Sequence, residues 1–323
     1  MKANARFINT EKIEGYVYST GSSFNQLSER VTGENSKHPG THYIAGDLDI
    51  AVDENGLNVI TVHYTYVTEV YKNGKENNTY TALKKIIDNP DKTWVNNGKE
   101  NAFKVQCTGV ALALNDFIAA DGSKVAAIRN ENGFCSIVNE LGAEAERNTF
   151  TTDMLITKVT HVDADPERNI ADDYATVSGA IFGYGPVLLP VSFVVRNKMG
   201  MNYFENLDAS PSNPVFTKLW GRINCMTIKT QKVEESAFGE AAVQTSTRKS
   251  REYVIIGTAK VPYDFGDEEV LTSADVSKMA QDRQVMLAEI EKRFNDRQTT
   301  KTTNMNTFGD SSGEEIPQGK FVF

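Results

Sequence analysis

The feature that most constrains this chain is a succession of β-branched and aromatic segments, punctuated by turn residues, running from the N-terminus to about residue 260. Residues 59–67, Val-Ile-Thr-Val-His-Tyr-Thr-Tyr-Val, are typical: Asn55-Gly56 precedes them and Lys72-Asn-Gly-Lys75 follows. Residues 102–110 alternate apolar and polar, and 187–195, 215–228 and 253–259 are further strand runs. Gly183-Tyr-Gly-Pro186 reads as a turn. One short helix is expected over residues 80–87, with Tyr80, Leu83 and Ile87 on one face and Asn89-Pro90 as its stop.

The two halves of this β region follow one plan. Tyr43-Ile-Ala-Gly46 leads through a turn to Asn58-Val-Ile-Thr-Val62, as Tyr174-Ala-Thr-Val-Ser-Gly179 leads to Val187-Leu-Leu-Pro-Val191. Each half then reaches a glycine-containing strand, Val105-Gln-Cys-Thr-Gly109 or Thr217-Lys-Leu-Trp-Gly221, and closes with a hairpin. About five strands with one inserted helix or long loop is what an OB barrel needs. The expectation is therefore a mainly β chain with two tandem OB-like barrels, 1–145 and 146–262, divided near residues 140–148 where Gly, Ala, Glu and Arg replace the β-branched residues. A length of 323 residues suits two domains.

After Pro262 the character changes. Thr272-Ser-Ala-Asp275 opens a helical pattern carried by Val276, Met279, Val285, Met286, Ile290 and Phe294, giving a helical segment over 263–298. From Thr299 the composition becomes Thr, Asn, Gly, Ser and acids, a flexible acidic tail over 299–323 that ends in Phe321-Val-Phe323. From Val261 onward twelve acids face seven bases, so five of the nine net negative charges lie there and the first 260 residues are only mildly acidic.

No apolar run approaches the ~20 residues of a membrane span, and Lys2 and Arg6 are not followed by the apolar core of a secretory signal. The expectation is a soluble, cytoplasmic protein. Cys107, Cys135 and Cys225 lie far apart in apolar stretches and read as buried free thiols. His38 and His42 have helical metal-ligand spacing, but Pro39-Gly40 between them makes the segment a loop. GxxxxGK[ST], GxSxG and HExxH are all absent. Asp163, Asp165, Asp172 and Asp173 form acid pairs that could hold a metal for nuclease chemistry, or simply a solvated turn. Neither a catalytic residue nor a cofactor is expected.

Single strands are held by rings that stack on bases, with Lys and Arg on phosphates. In Lys218-Leu-Trp-Gly-Arg-Ile-Asn224 strand alternation puts Lys218, Trp220, Arg222 and Asn224 on one face, and Leu219, Ile223 and Cys225 on the other. An indole between two cations marks a ligand-facing surface, although core or subunit packing would also use a tryptophan. Residues 196–204 read as a glycine-containing barrel loop offering Arg196, Lys198, Tyr203 and Phe204; Phe204 could instead plug the barrel end. Tyr184 could join a ring pair with Phe182. Lys229, Lys232, Arg248, Lys249 and Arg251 form the densest basic group, on a hairpin that would flank the groove. In the first half Tyr64 and Tyr66 share one strand face, either as stacking platforms or as barrel packing; Trp94 is a candidate loop aromatic and Lys104 a candidate phosphate contact.

Three stretches extend the reading: Val177-Ser-Gly-Ala-Ile-Phe-Gly-Tyr-Gly-Pro-Val-Leu-Leu-Pro-Val191, Ser212-Asn-Pro-Val-Phe-Thr-Lys-Leu-Trp-Gly-Arg222 and Gly257-Thr-Ala-Lys-Val-Pro-Tyr-Asp-Phe265. In these the chain resembles the single-stranded DNA-binding proteins of tailed bacteriophages, mainly over residues 150–296. The resemblance implies a non-enzymatic OB-fold protein that coats ssDNA during phage replication and recombination in the infected host's cytoplasm, as a monomer or homo-oligomer. It also implies an acidic, aromatic-tipped tail that docks on replication or recombination proteins. Asp310, Glu314 and Glu315 with Phe321 and Phe323 look similar to such a tail, with Lys320 as a departure. A virion or assembly protein is the alternative reading.

Overall fold

The computed structural model describes residues 7–119, 121–165, 170–183, 187–234 and 242–307; for 226–234, 242–249 and 298–307 it describes the backbone alone. The first half contains β1 (Asn9–Ser19), β2 (Ser28–Val31), β3 (His42–Ala51), β4 (Val59–Thr68), α1 (Asn78–Ile87), α2 (Trp94–Asn97), β5 (Lys104–Leu114), β6 (Phe117–Ile118), β7 (Lys124–Val125), β8 (Ile128–Glu131) and β9 (Phe134–Val138). The second contains β10 (Asn148–Val162), β11 (Tyr174–Phe182), β12 (Leu188–Val195), α3 (Lys198–Glu205), β13 (Val215–Glu234), β14 (Ala242–Thr258) and α4 (Ser273–Thr307). The chain is mainly β, as its sequence pattern predicts.

Five strands of the second half close on themselves. β10 pairs β11, β11 pairs β12, β12 runs parallel to β14, β14 pairs β13, and β13 returns to β10. This barrel encloses Phe150, Val177, Phe193, Leu219, Ile223, Tyr253 and Ile255, all buried. In the first half β1 pairs β3, β3 pairs β4, β4 runs parallel to β8, β8 pairs β5, and β5 pairs β1. The two sets of strands share one ladder, β1 on β10 from Asn9↔Thr152 to Ile13↔Asn148. Polar side chains stitch the seam beside that ladder: the Tyr253 hydroxyl donates to Asn130 Oδ1 at 2.7 Å, and Asn58 Oδ1 accepts from the Cys225 amide at 2.8 Å.

The short helices follow local rules. Asn77 caps α1 by accepting from the Thr79 amide, and Tyr80, Leu83 and Ile86 turn into the core. The segment 196–204, expected as a loop, is helical from Lys198. Asn197 Oδ1 accepts from the Gly200 amide at 2.6 Å, and Met201 and Phe204, three apart, are buried against the barrel end. Before α4, Thr272 and Asp275 exchange hydrogen bonds in a capping box, Thr272 N to Asp275 Oδ2 at 3.1 Å and Asp275 N to Thr272 Oγ1 at 3.2 Å. Its first turns bury Met279 beside Leu155, Phe182, Phe216 and Leu271. Further on, Arg283 pairs with the almost buried Asp116 at 3.0 Å and Lys124 with Glu291 at 2.8 Å, tying the helix to the β6–β7 hairpin. α4 runs to Thr307, so the residues expected to begin a flexible tail at Thr299 are helical. Asp310, Glu314, Glu315, Phe321 and Phe323 lie outside the described residues. No described helix is long and apolar enough to cross a membrane.

Candidate nucleic-acid interface

Two surfaces present exposed rings beside cations. The first lies on β3 and β4. Tyr64 and Tyr66 were expected on one face, but the ladder shifts between Ile44↔Val67 and Gly46↔Tyr64, so Thr65 and Tyr66 together oppose Ala45. This bulge turns Tyr64 and Val67 inward and both intervening residues outward. Tyr64 is fully buried with its hydroxyl 3.4 Å from Cys107 Sγ, and burial holds its phenol well above the ordinary range. It is core and cannot stack on a base.

Tyr66 is 48% exposed and lies over Tyr43, ring centroids 4.6 Å apart and tilted by 41°. A groove of about 1120 Å³ opens beside it, walled by His38, Thr41, Val70, Tyr71 and Lys72. A tight turn presents Tyr71: its amide donates to the Lys75 carbonyl at 2.8 Å, and Gly74 donates back to Tyr71 O. Gly74 has φ +77, which suits this turn. Arg30 on β2 faces Tyr43 across the ladder. Arg30, Lys37, Lys72 and Lys75 make no ion pair among the described residues, whereas Glu29 is held by Tyr80, His42 and Lys84 and its carboxyl pulled down to about 2. Glu69 and Glu76 flank the loop, so acid and base alternate there and the rings dominate. Towards the seam the same face carries Asp47 bonded to His63 and Asp49 bonded to Thr61 and Ser19, an acidic stretch that ends the groove.

The YorF family model matches residues 22–293. The chain belongs to the YorF family. No curated protein matches it.

The second surface of this YorF-family chain is on β13. Its alternation is as read: Leu219, Ile223 and Cys225 are buried, Trp220 and Arg222 exposed, Lys218 and Asn224 half-buried. Asp153, opposite Lys218, has its carboxylate occupied by the Ile8 amide and the Tyr263 hydroxyl. Burial holds the Asp153 carboxyl above its ordinary range, against the pull of these two bonds and of the Lys218 ammonium. Arg222 and Asn224 reach a cleft of about 360 Å³ at the seam, shared with Asp53, Asn58 and Glu144.

Other expected contacts are committed elsewhere. Arg196 donates from Nη2 to both carboxylate oxygens of Glu252, at 2.7 and 2.9 Å, and lies over the Tyr174 ring. Phe204 is core, while Tyr203 meets it edge-on and Lys198 is exposed at the start of α3. Arg251 donates to the Ile128 carbonyl across the seam, and Lys104 to the Asn139 carbonyl. Trp94 is half-buried edge-on against Tyr16, with Lys99 6.0 Å from its ring. Lys229, Lys232, Arg248 and Lys249 lie on the paired arms of β13 and β14, where the backbone alone is described, and Tyr184 is outside the described residues. Of the acid pairs, Asp163 and Asp173 gather around His161, all three exposed with ligand atoms within 4.8 Å. Glu205 bonds His161 Nδ1 at 2.6 Å and pushes the imidazole pKa up.

Sequence reasoning singled out Tyr66 but passed over Tyr43, Tyr71, Lys72 and Arg30. A signal was present in Val70-Tyr-Lys-Asn-Gly-Lys75, a ring beside cations in a glycine turn. The pairing that brings Arg30 and Tyr43 beside it is not local.

Proposed function

We propose that this protein binds single-stranded DNA without strong sequence preference, stacking bases in the Tyr66 groove and coating the strand rather than cleaving it. The observation that carries the reading is the groove itself: two exposed tyrosines, a third ring beneath, and cations without ion pairs. Its location supports the same reading. In each half a helix bridges the third and fourth ring strands, α1 between β4 and β5 and α3 between β12 and β13, and the third runs parallel to the fifth. That closure favours two OB-type barrels, a fold that binds oligonucleotides on its second and third strands and adjoining loops. β3 and β4 are the second and third ring strands of the first half, and His38 and Thr41 come from the loop between its first two. The resemblance to phage ssDNA-binding proteins points the same way, towards replication and recombination in an infected cell, with the C-terminal tail as a partner contact.

Fluorescence anisotropy of labelled oligo-dT tests the reading. The full chain should bind at low salt, and Y66A/Y71A should weaken binding roughly tenfold or more, since a stacked base contributes about 1–3 kcal/mol. With Lys72 lining the groove and Arg30, Lys37 and Lys75 on adjoining segments, log K against log[salt] should slope no more steeply than about −3. A full chain that leaves oligo-dT free at low salt would rule the proposal out.

A further inference from the structure

We infer that the exposed face of β13 around Trp220 is a second, separate contact for single-stranded nucleic acid, so that one chain engages one strand at two places. The inference rests on the single-strand reading above but not on the Tyr66 groove. It lies on the fourth ring strand of the second half, away from the second and third strands where an OB-type barrel ordinarily binds.

Three observations carry it. Trp220 is 39% exposed, and the buried side of its ring lies against bare backbone: a Cβ at Gly257 would stand 2.4 Å from both Nε1 and Cε2 of the indole. The sheet thus supports the ring along its Nε1–Cζ2 side, and the exposed remainder is what a base would stack on. The ladder with β14 slips here, Trp220 pairing Gly257 and Gly221 pairing Ile255, which leaves Ile256 unpaired and 54% exposed beside the ring. Bulges re-aim side chains in this way near binding sites. Finally, Lys218 and Arg222 flank Trp220 on the same face, each about 6.6 Å along the strand. That spacing leaves room for a base on the ring with a phosphate on either side, and neither cation makes an ion pair among the described residues. On β10, Thr149 and Thr151 opposite Arg222 and Trp220 are uncharged, and Asp153 opposite Lys218 has its carboxylate taken up by the Ile8 amide and the Tyr263 hydroxyl. A cation on either side of the ring, among neighbours that are polar apart from Ile256, favours an anionic chain of bases over an apolar protein partner.

The experiment uses the full-length chain and two oligo-dT lengths, one of about 8 nucleotides, within the range of a single OB module, and one of about 40. W220A should bind the long oligonucleotide about tenfold more weakly, W220F close to the wild type, and Y66A/Y71A should retain residual binding. In W94F/Y66A/Y71A, where Trp220 is the remaining tryptophan, the long oligonucleotide should quench its emission. Wild-type affinity of W220A for the long oligonucleotide, with Trp220 unquenched, would overturn the second contact and leave the groove reading standing. A change in assembly mass on W220A with unchanged oligonucleotide affinity would instead assign the face to a second copy of this chain. If the wild type binds neither oligonucleotide, both readings fall.

Discussion

The indole of Trp220 keeps its place because the residue across the strand has no side chain. Gly257→Ala would put a methyl group 2.4 Å from the ring, and the rigid β-strand cannot yield by that amount. The indole must lift away from the sheet. In a W94F background G257A should therefore make Trp220 more accessible to acrylamide quenching and reduce affinity for long oligo-dT to about that of W220A. Unchanged quenching would mean that the ring does not depend on the bare strand. Tyr64 and Tyr66 make the complementary case. Two residues of one type, two apart on one strand, take opposite fates because a bulge lies between them.

At the scale of the element, that bulge is held from both sides. Gly46 in β3 has φ +129, and a Cβ there would lie 2.4 Å from the Gln26 carbonyl oxygen and 2.6 Å from Leu27 Cα. An L side chain is strained in that backbone region whatever space surrounds it. Gly46→Ala should cost about 1–3 kcal/mol on conformational grounds alone, seen as a lower urea midpoint. Because Tyr66 and Tyr71 are presented by this hairpin, oligonucleotide affinity should fall with it; a variant with unaltered midpoint would contradict the role of the bulge. The thiols behave as elements too. Cys107 and Cys135, remote in sequence, are directly opposed on β5 and β9 and buried as free thiols, while Cys225 is buried on β13.

At the scale of the whole molecule, β1 belongs to both sets of strands, and Glu11 is paired on both sides, opposite Val110 on β5 and Phe150 on β10. Its side chain is 2% exposed, and the Tyr253 hydroxyl beside it donates at 2.7 Å to Asn130 Oδ1. Burial pushes its pKa from 4.5 up to about 8, against the opposing pull of Arg251 and Tyr253. Between those values the unfolded chain gives up a proton that the folded chain retains. Stability from this group is thus fully present below pH 4.5 and falls as pH rises towards 8, by about 1.4 kcal/mol per unit while the two states differ. Glu11→Gln keeps the shape and cannot ionise. It should be more stable than the wild type at pH 8, by roughly a few kcal/mol, with the advantage shrinking towards pH 4. Urea unfolding of both proteins at the two pH values checks this, and an advantage that does not change with pH would exclude Glu11 as the source.

The sequence by itself determined the β character of the first 260 residues, the position of α1, the start of α4 and the two faces of the Trp220 strand. Each of these is written in local periodicity or in a cap or stop signal within a few residues. Other features were decided by pairings between distant segments: the inward turn of Tyr64, the meeting of Tyr66, Tyr71 and Lys72 in one groove with Tyr43 and Arg30 alongside, and the burial of Glu11 where two sets of strands meet. Alternation says which residues share a face only while the ladder stays in register. A bulge set by Gly46 and Gln26, or a seam between β1 and β10, resets that register through atoms far away in the chain. The loop expected at 196–204 shows the same limit at short range, since Asn197 became a helix cap once Met201 and Phe204 found a barrel end to close.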